Sequence, residues 1–128
     1  MKRKAKFSFE DLEVWQKAVE FARRVIAIAE EIQTDRKHFR LIEQLEAAST
    51  SVALNIAEGK GRYSKKEFIQ FLYIARGSLY ETITILIIFN KNKWIHDNQL
   101  EVMKELGEEI GKMLSSLINS IRKSNYEP

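Results

Sequence analysis

This sequence predicts an all-α fold, an antiparallel up-and-down four-helix bundle, from three observations. Apolar residues recur every three or four positions through nearly the whole chain, the period of a helix with one buried face. Turn-forming residues are scarce, since 128 residues hold five glycines and one proline, Pro128. Short polar links divide the periodic pattern into four long segments, the arrangement of an up-and-down bundle. The length fits one domain over residues 1–128, with 1–7 as a basic, flexible arm and 123–128 as a tail. A 45% hydrophobic content is enough for a packed core.

Segment one covers residues 9–32. Leu12, Trp15, Ala18, Val19, Ala22, Val25, Ile26, Ala29 and Ile32 are its apolar positions, and Ser8 is placed to cap it, with Glu10 and Asp11 in the first turn. Segment two covers 35–58, with Ile42, Leu45, Ser49, Val52 and Ile56 in rhythm and small residues (Ala47, Ala48, Ser51, Ala53, Ala57) that let a neighbour approach. Gly59 and Gly61 are read as its end. Segment three opens on Ser64-Lys65-Lys66-Glu67, a capping-box pattern, and continues to residue 89. Phe68, Leu72, Ala75, Leu79, Ile83 and Leu86 make one stripe; Phe71, Ile74, Ile85, Ile87 and Ile88 make a second. Segment four covers 98–122 behind an Asp97 cap, on a seam of Leu100, Met103, Gly107, Ile110, Leu114, Leu117 and Ile121. The second stripe of segment three, with Trp94, is more apolar surface than a lone bundle buries. Ile85, Ile87, Ile88 and Trp94 are therefore the candidate oligomer face, and a homo-oligomer is expected.

Most chemistries are excluded. Without cysteine there is no disulfide, thiolate metal site or cysteine nucleophile. A di-metal site in a bundle needs Glu-x-x-His pairs, but Asp35 and Lys93 stand three residues before His38 and His96. No Gly-x-Ser-x-Gly elbow is present, and Gly59-Lys60-Gly61-Arg62 lacks the spacing and the preceding strand of a P-loop. The expectation is a non-enzymatic protein with no cofactor, no catalytic residue and no metal. No apolar run after the basic amino end marks a signal peptide, and the run over 83–89 is short of the ~20 residues that span a bilayer. A soluble, cytoplasmic protein is expected.

Charge is uneven. Residues 1–66 are net +4 and residues 67–128 net −1. The excess sits at Lys2, Arg3, Lys4 and Lys6, and at Lys60, Arg62, Lys65 and Lys66. Solubilising charge and a polyanion-binding patch both fit. Interleaved with the second cluster is an unusual corner: Asn55, Glu58, Gly59, Gly61, Ser64 and Glu67. Glu58 closes a helix, where the dipole disfavours an anion, and so calls for Arg62 or Arg76 as a partner. A hydrogen-bonded turn and a phosphate grip are compatible readings of this corner.

The residues around this corner resemble a known family. Phe9-Glu10-Asp11-Leu12-Glu13-Val14-Trp15-Gln16-Lys17-Ala18, Gln44-Leu45, Asn55-Ile56-Ala57-Glu58-Gly59, Gly61-Arg62, Ser64, Glu67-Phe68, Phe71-Leu72 and Ile74-Ala75-Arg76-Gly77-Ser78-Leu79-Tyr80-Glu81 are similar to the motifs of the proteins encoded in 23S rRNA intervening sequences. The resemblance runs over residues 9–121. It implies a four-helix bundle, commonly a homopentameric ring, with no known catalytic activity. A similar fold occurs in the accessory variability proteins of diversity-generating retroelements, which bind nucleic acid; this is an analogy of fold. The chain departs from the pattern where Glu46 and Ala47 replace two arginines, and where Ser51-Val52-Ala53-Leu54 lacks a proline. The apolar run over 83–89 also replaces a more polar stretch.

The expected function is phosphate-mediated binding of structured RNA or DNA, carried by Lys2, Arg3, Lys4, Lys60, Arg62, Lys65 and Lys66. No base-reading motif or run of interleaved aromatics is present. The alternative is a protein-interaction scaffold that uses the apolar face of segment three.

Overall fold

The structure is a computed structural model that describes residues 4–34 and 38–124. A 3-10 turn over Ser8–Asp11 precedes four helices: α1 (Glu13–Glu31), α2 (Phe39–Lys60), α3 (Lys65–Lys91) and α4 (Asp97–Lys123). Each helix packs on its neighbours in sequence, and α1 also packs on α4, which closes the up-and-down bundle; α2 and α3 make the most extensive pairing. Phe21, Val25, Leu45, Val52, Ile56, Leu72, Leu79, Leu86, Met103, Ile110, Leu114 and Ile118 are among the core residues. The buried hydroxyls of Ser49 and Thr82 donate back to the carbonyls of Glu46 and Ser78, so burial leaves neither unsatisfied.

The helix ends differ from the sequence reading for identifiable reasons. Ser8 opens the 3-10 turn and does not cap α1. The Phe7 amide donates to the Glu10 carboxylate at 2.7 Å, and Phe9 packs against both Phe7 and Trp15, which ties the arm down before the helix begins. The expected start of segment two at Asp35 falls outside the described residues, and α2 begins at Phe39. Gly59 lies inside α2, which ends at Lys60. Gly59 is buried because the backbone of α3 passes over it: an added Cβ would stand 2.8 Å from Phe71 Cβ and 3.1 Å from Phe68 Cδ1. Gly107 has the same role more loosely, 3.1 Å from the flexible tip of Ile83. Asp97 begins α4 as its first residue. The N-terminal bond is made instead by the Gln99 side chain, which accepts from the His96 amide at 2.7 Å.

The candidate oligomer face is divided by the structure. Ile85 is only 7% exposed and belongs to the core. Trp94 is half-buried: it stacks on His38 at 4.3 Å and packs on Phe89 at 5.0 Å. Its place follows from how α3 ends. Lys93 takes a left-handed conformation at φ 63°, its amide donates to the Asn90 carbonyl, and the Trp94 amide donates to the Phe89 carbonyl. This is a Schellman closure, with Trp94 folded back onto Phe89. Ile87 is half-buried and Ile88 is 49% exposed. By length and composition alone α3 is long and apolar enough to cross a membrane. In the bundle its apolar stripe packs against α2 and α4.

Candidate functional site

An up-and-down bundle has two ends, and antiparallel order decides what each one carries. The amino-terminal arm and the start of α1, the α2–α3 corner, and the carboxyl end of α4 share one end. Lys4 and Lys6 therefore lie at the same end as Lys60, Arg62, Lys65 and Lys66. Lys2 and Arg3 lie outside the described residues. The fold adds two cations that the sequence reading missed, Arg122 and Lys123. Eight cations face the carboxylates of Glu10, Asp11, Glu13, Glu58 and Glu67, an excess of three positive charges among the described residues. The missed pair was legible in principle, because the same topology places the last turn of α4 beside the first turn of α3.

The cations divide by what holds them. Lys6 pairs with Asp11 at 2.6 Å, and the hydrogen bond to that carboxylate raises the lysine pKa. Arg62 Nη2 donates to Glu58 Oε1 at 3.0 Å, and its guanidinium lies 4.6 Å from the Phe71 ring centre. Arg62 is thus the partner that Glu58 requires at the carboxyl end of α2. Lys65 Nζ donates to the Ser124 carbonyl at 2.7 Å and ties α3 to the end of α4. Arg122 donates to the Tyr73 hydroxyl at 2.6 Å. Lys4, Lys60, Lys66 and Lys123 have no carboxylate partner among the described residues. These four keep their charge available to a ligand.

The corner itself is built as a turn. Ser64 Oγ accepts from the Glu67 amide at 3.1 Å, and the Gly61 and Arg62 amides donate to the carbonyls of Ala57 and Gly59. Asn55 lies a turn earlier and is not part of it. Its amide donates to the Ser51 carbonyl and hydroxyl, and Ser51 in turn bonds Ser78 on α3 at 2.9 Å. Arg76 also stands apart, over the Tyr73 ring at 4.9 Å. The corner fixes the α2–α3 turn while its lysines project from it.

Two other surfaces differ from this end in what they offer. A groove of about 880 Å³ runs between α3 and α4, floored by Leu79, Ile83, Gly107 and Gly111 and rimmed by Lys104, Glu108 and Lys112. The outer α2–α3 face presents Leu54, at 65% exposure, with Ile74 and Ile88. Neither gathers a set of catalytic groups. Among the described residues no cluster of three or more His, Asp or Glu is placed to hold a metal ion.

Comparison with known proteins bears on the whole bundle. A solved structure of a protein of unknown function from the S23 ribosomal protein family of Bacteroides thetaiotaomicron VPI-5482 is similar at a TM-score of 0.76 and 30% identity. The match covers 82% of this chain and 97% of that one. No curated protein matches. The sequence model for the 23S rRNA-intervening sequence protein family matches residues 10–116, which include α1, α2, α3, the corner and most of α4. The chain belongs to the 23S rRNA-intervening sequence protein family.

Proposed function

We propose that this protein is a non-enzymatic, oligomeric helical bundle that binds structured RNA or DNA through phosphate contacts at its basic end. The observation that carries the reading is the meeting of cations from three separate stretches of chain at one end, four of them without carboxylate partners among the described residues. Phosphates recognised in this way fix position and strength of binding, with little reading of sequence. One feature supports self-association, with the pentamer as the size implied by the family resemblance: the outer α2–α3 face leaves Leu54, Ile74 and Ile88 exposed. Symmetry would then repeat the basic end around the ring.

The test is a fluorescence-anisotropy titration with a structured ribosomal RNA fragment and a matched DNA duplex across salt. Binding should weaken log-linearly with salt. The combined Lys60→Ala, Lys66→Ala, Lys123→Ala variant should have a shallower slope, by about one unit for each phosphate that it no longer neutralises. Failure to bind either nucleic acid at low salt sinks this reading. A second reading, a protein-interaction scaffold, rests on the same exposed Leu54, Ile74 and Ile88. It predicts docking that is insensitive to salt.

A further inference from the structure

Phosphate binding leaves two features of the basic end unexplained. Tyr63 is 83% exposed and sits in the loop between Arg62 and Lys65, with no ring or hydrogen-bond partner among the described residues. Phe7 is 68% exposed in the arm that follows Lys4 and Lys6. Phe7 is also held in place: its ring stacks on Phe9 at 5.6 Å and 12°, Phe9 packs on Trp15 at 5.1 Å, and its amide is bound by Glu10. A single exposed aromatic is ordinary. Here two, Tyr63 and Phe7, lie at the end that carries the excess of cations, while Phe39 and Tyr80 are exposed away from it. The exposed apolar residues of the outer face, Leu54, Ile74 and Ile88, lie along the helices away from that cluster.

Exposed rings among lysines match one kind of polyanion. In a duplex the bases stack on each other, and only backbone and groove edges are offered to a protein. An unpaired strand offers the flat faces of its bases beside its phosphates, and aromatic side chains accept those faces while cations hold the backbone. The sequence contains no run of interleaved aromatics because the two rings come from separate segments, which the up-and-down topology brings to one end.

We propose that the basic end binds unpaired nucleotides of a single strand, with bases stacked on Tyr63 and Phe7 and the flanking phosphates held by Lys60, Lys66 and Lys123. This rests on the phosphate-binding reading and adds that the strand contacted there is unpaired: a loop, a bulge or an end of a structured molecule. Stacking is tolerant of sequence and of sugar, so RNA and DNA strands are both accepted.

The experiment compares the full-length protein on fluorescein-labelled oligothymidylate and oligouridylate of about twelve nucleotides, within the site sizes such surfaces cover, and on a duplex of equal length. The expected result is tighter binding of both single strands than of the duplex. Tyr63→Ala and Phe7→Ala should each weaken single-strand binding by about tenfold and leave duplex binding unchanged, while Tyr63→Phe keeps the wild-type affinity. Unchanged thermal unfolding of Tyr63→Ala would show that the loss is not one of folding. Equal binding of strand and duplex, with no effect of either alanine, overturns the stacking proposal and leaves the phosphate reading standing. Absence of binding to any of the three at low salt overturns both.

Discussion

At Gly59 the backbones of α2 and α3 come together too closely for a side chain. A Cβ there would meet Phe71 Cβ at 2.8 Å, Phe68 Cδ1 at 3.1 Å and the Phe68 carbonyl oxygen at 3.3 Å. The first and last of these atoms are fixed to the α3 backbone and cannot rotate away. Gly59→Ala therefore has to push the two helices apart at the corner. Overpacking of this kind costs about 1–3 kcal/mol, and alanine returns ~1 kcal/mol of helix propensity. The net loss is up to about 2 kcal/mol, or up to roughly 8 °C in Tm for a chain of this size. Gly77→Ala is the control. Nothing lies within 4 Å of its added Cβ, so the same propensity gain of ~1 kcal/mol is unopposed. The assay is denaturant unfolding followed by far-UV circular dichroism, at one fixed protomer concentration, so that the proposed self-association contributes equally to each variant. If Gly59→Ala stabilised the protein as much as Gly77→Ala, the close approach of α2 to α3 would be wrong.

Other substitutions test other parts of the structure. Ser64→Ala removes the hydroxyl that accepts from the Glu67 amide and should cost about 1 kcal/mol in denaturant unfolding; no loss would mean the cap is idle. Lys93→Gly relieves a left-handed lysine at the end of α3 and should stabilise by about 1 kcal/mol in the same assay, whereas destabilisation would contradict that backbone conformation. Hydrogen bonds from Arg23, and then Arg24, hold the Glu20 carboxyl at about 2, down from an ordinary 4.5. A carboxyl lowered on folding contributes stability that is present above the ordinary value and lost as pH falls toward 2, so carbon-13 NMR should find its midpoint near 2 and not near 4.5. On the proposed self-association through the outer α2–α3 face, light scattering should find the unmodified protein larger than one protomer and the double variant Leu54→Glu, Ile74→Glu at the mass of one; an unmodified protein at the mass of one protomer, or a variant of unchanged mass, would contradict it.

Much of this molecule was legible in its sequence because the signals are local. Helical periodicity, the Ser64–Glu67 capping pattern and the Glu58–Arg62 spacing each act within a few residues, and the structure contains all four helices, the cap and the ion pair. Other features depend on the direction of the chain beyond one element. Ile85 reads as part of an outer stripe, but the rotation of α3 against α2 and α4 turns it inward. Trp94 reads as an exposed anchor in a polar link, yet a left-handed Lys93 folds it onto Phe89 and His38. Gly59 reads as a helix stop, but in the structure it is a point of contact between helices. The same holds at the candidate site. The lysines around the corner stand out in sequence, whereas Arg122, Lys123 and Phe7 join them only through antiparallel packing.

The central claim is that one end of the bundle, and not net charge in general, holds nucleic acid. The measurement that tests it most directly is anisotropy binding to a structured RNA at one fixed, low salt concentration, for two charge-matched variants. Lys60→Glu with Lys66→Glu reverses two cations at the basic end. Arg40→Glu with Lys91→Glu makes the same change in net charge at the opposite end, where α2 begins and α3 finishes. The account predicts that the first variant loses binding by at least tenfold while the second binds as the unmodified protein does. Equal weakening of the two would contradict it.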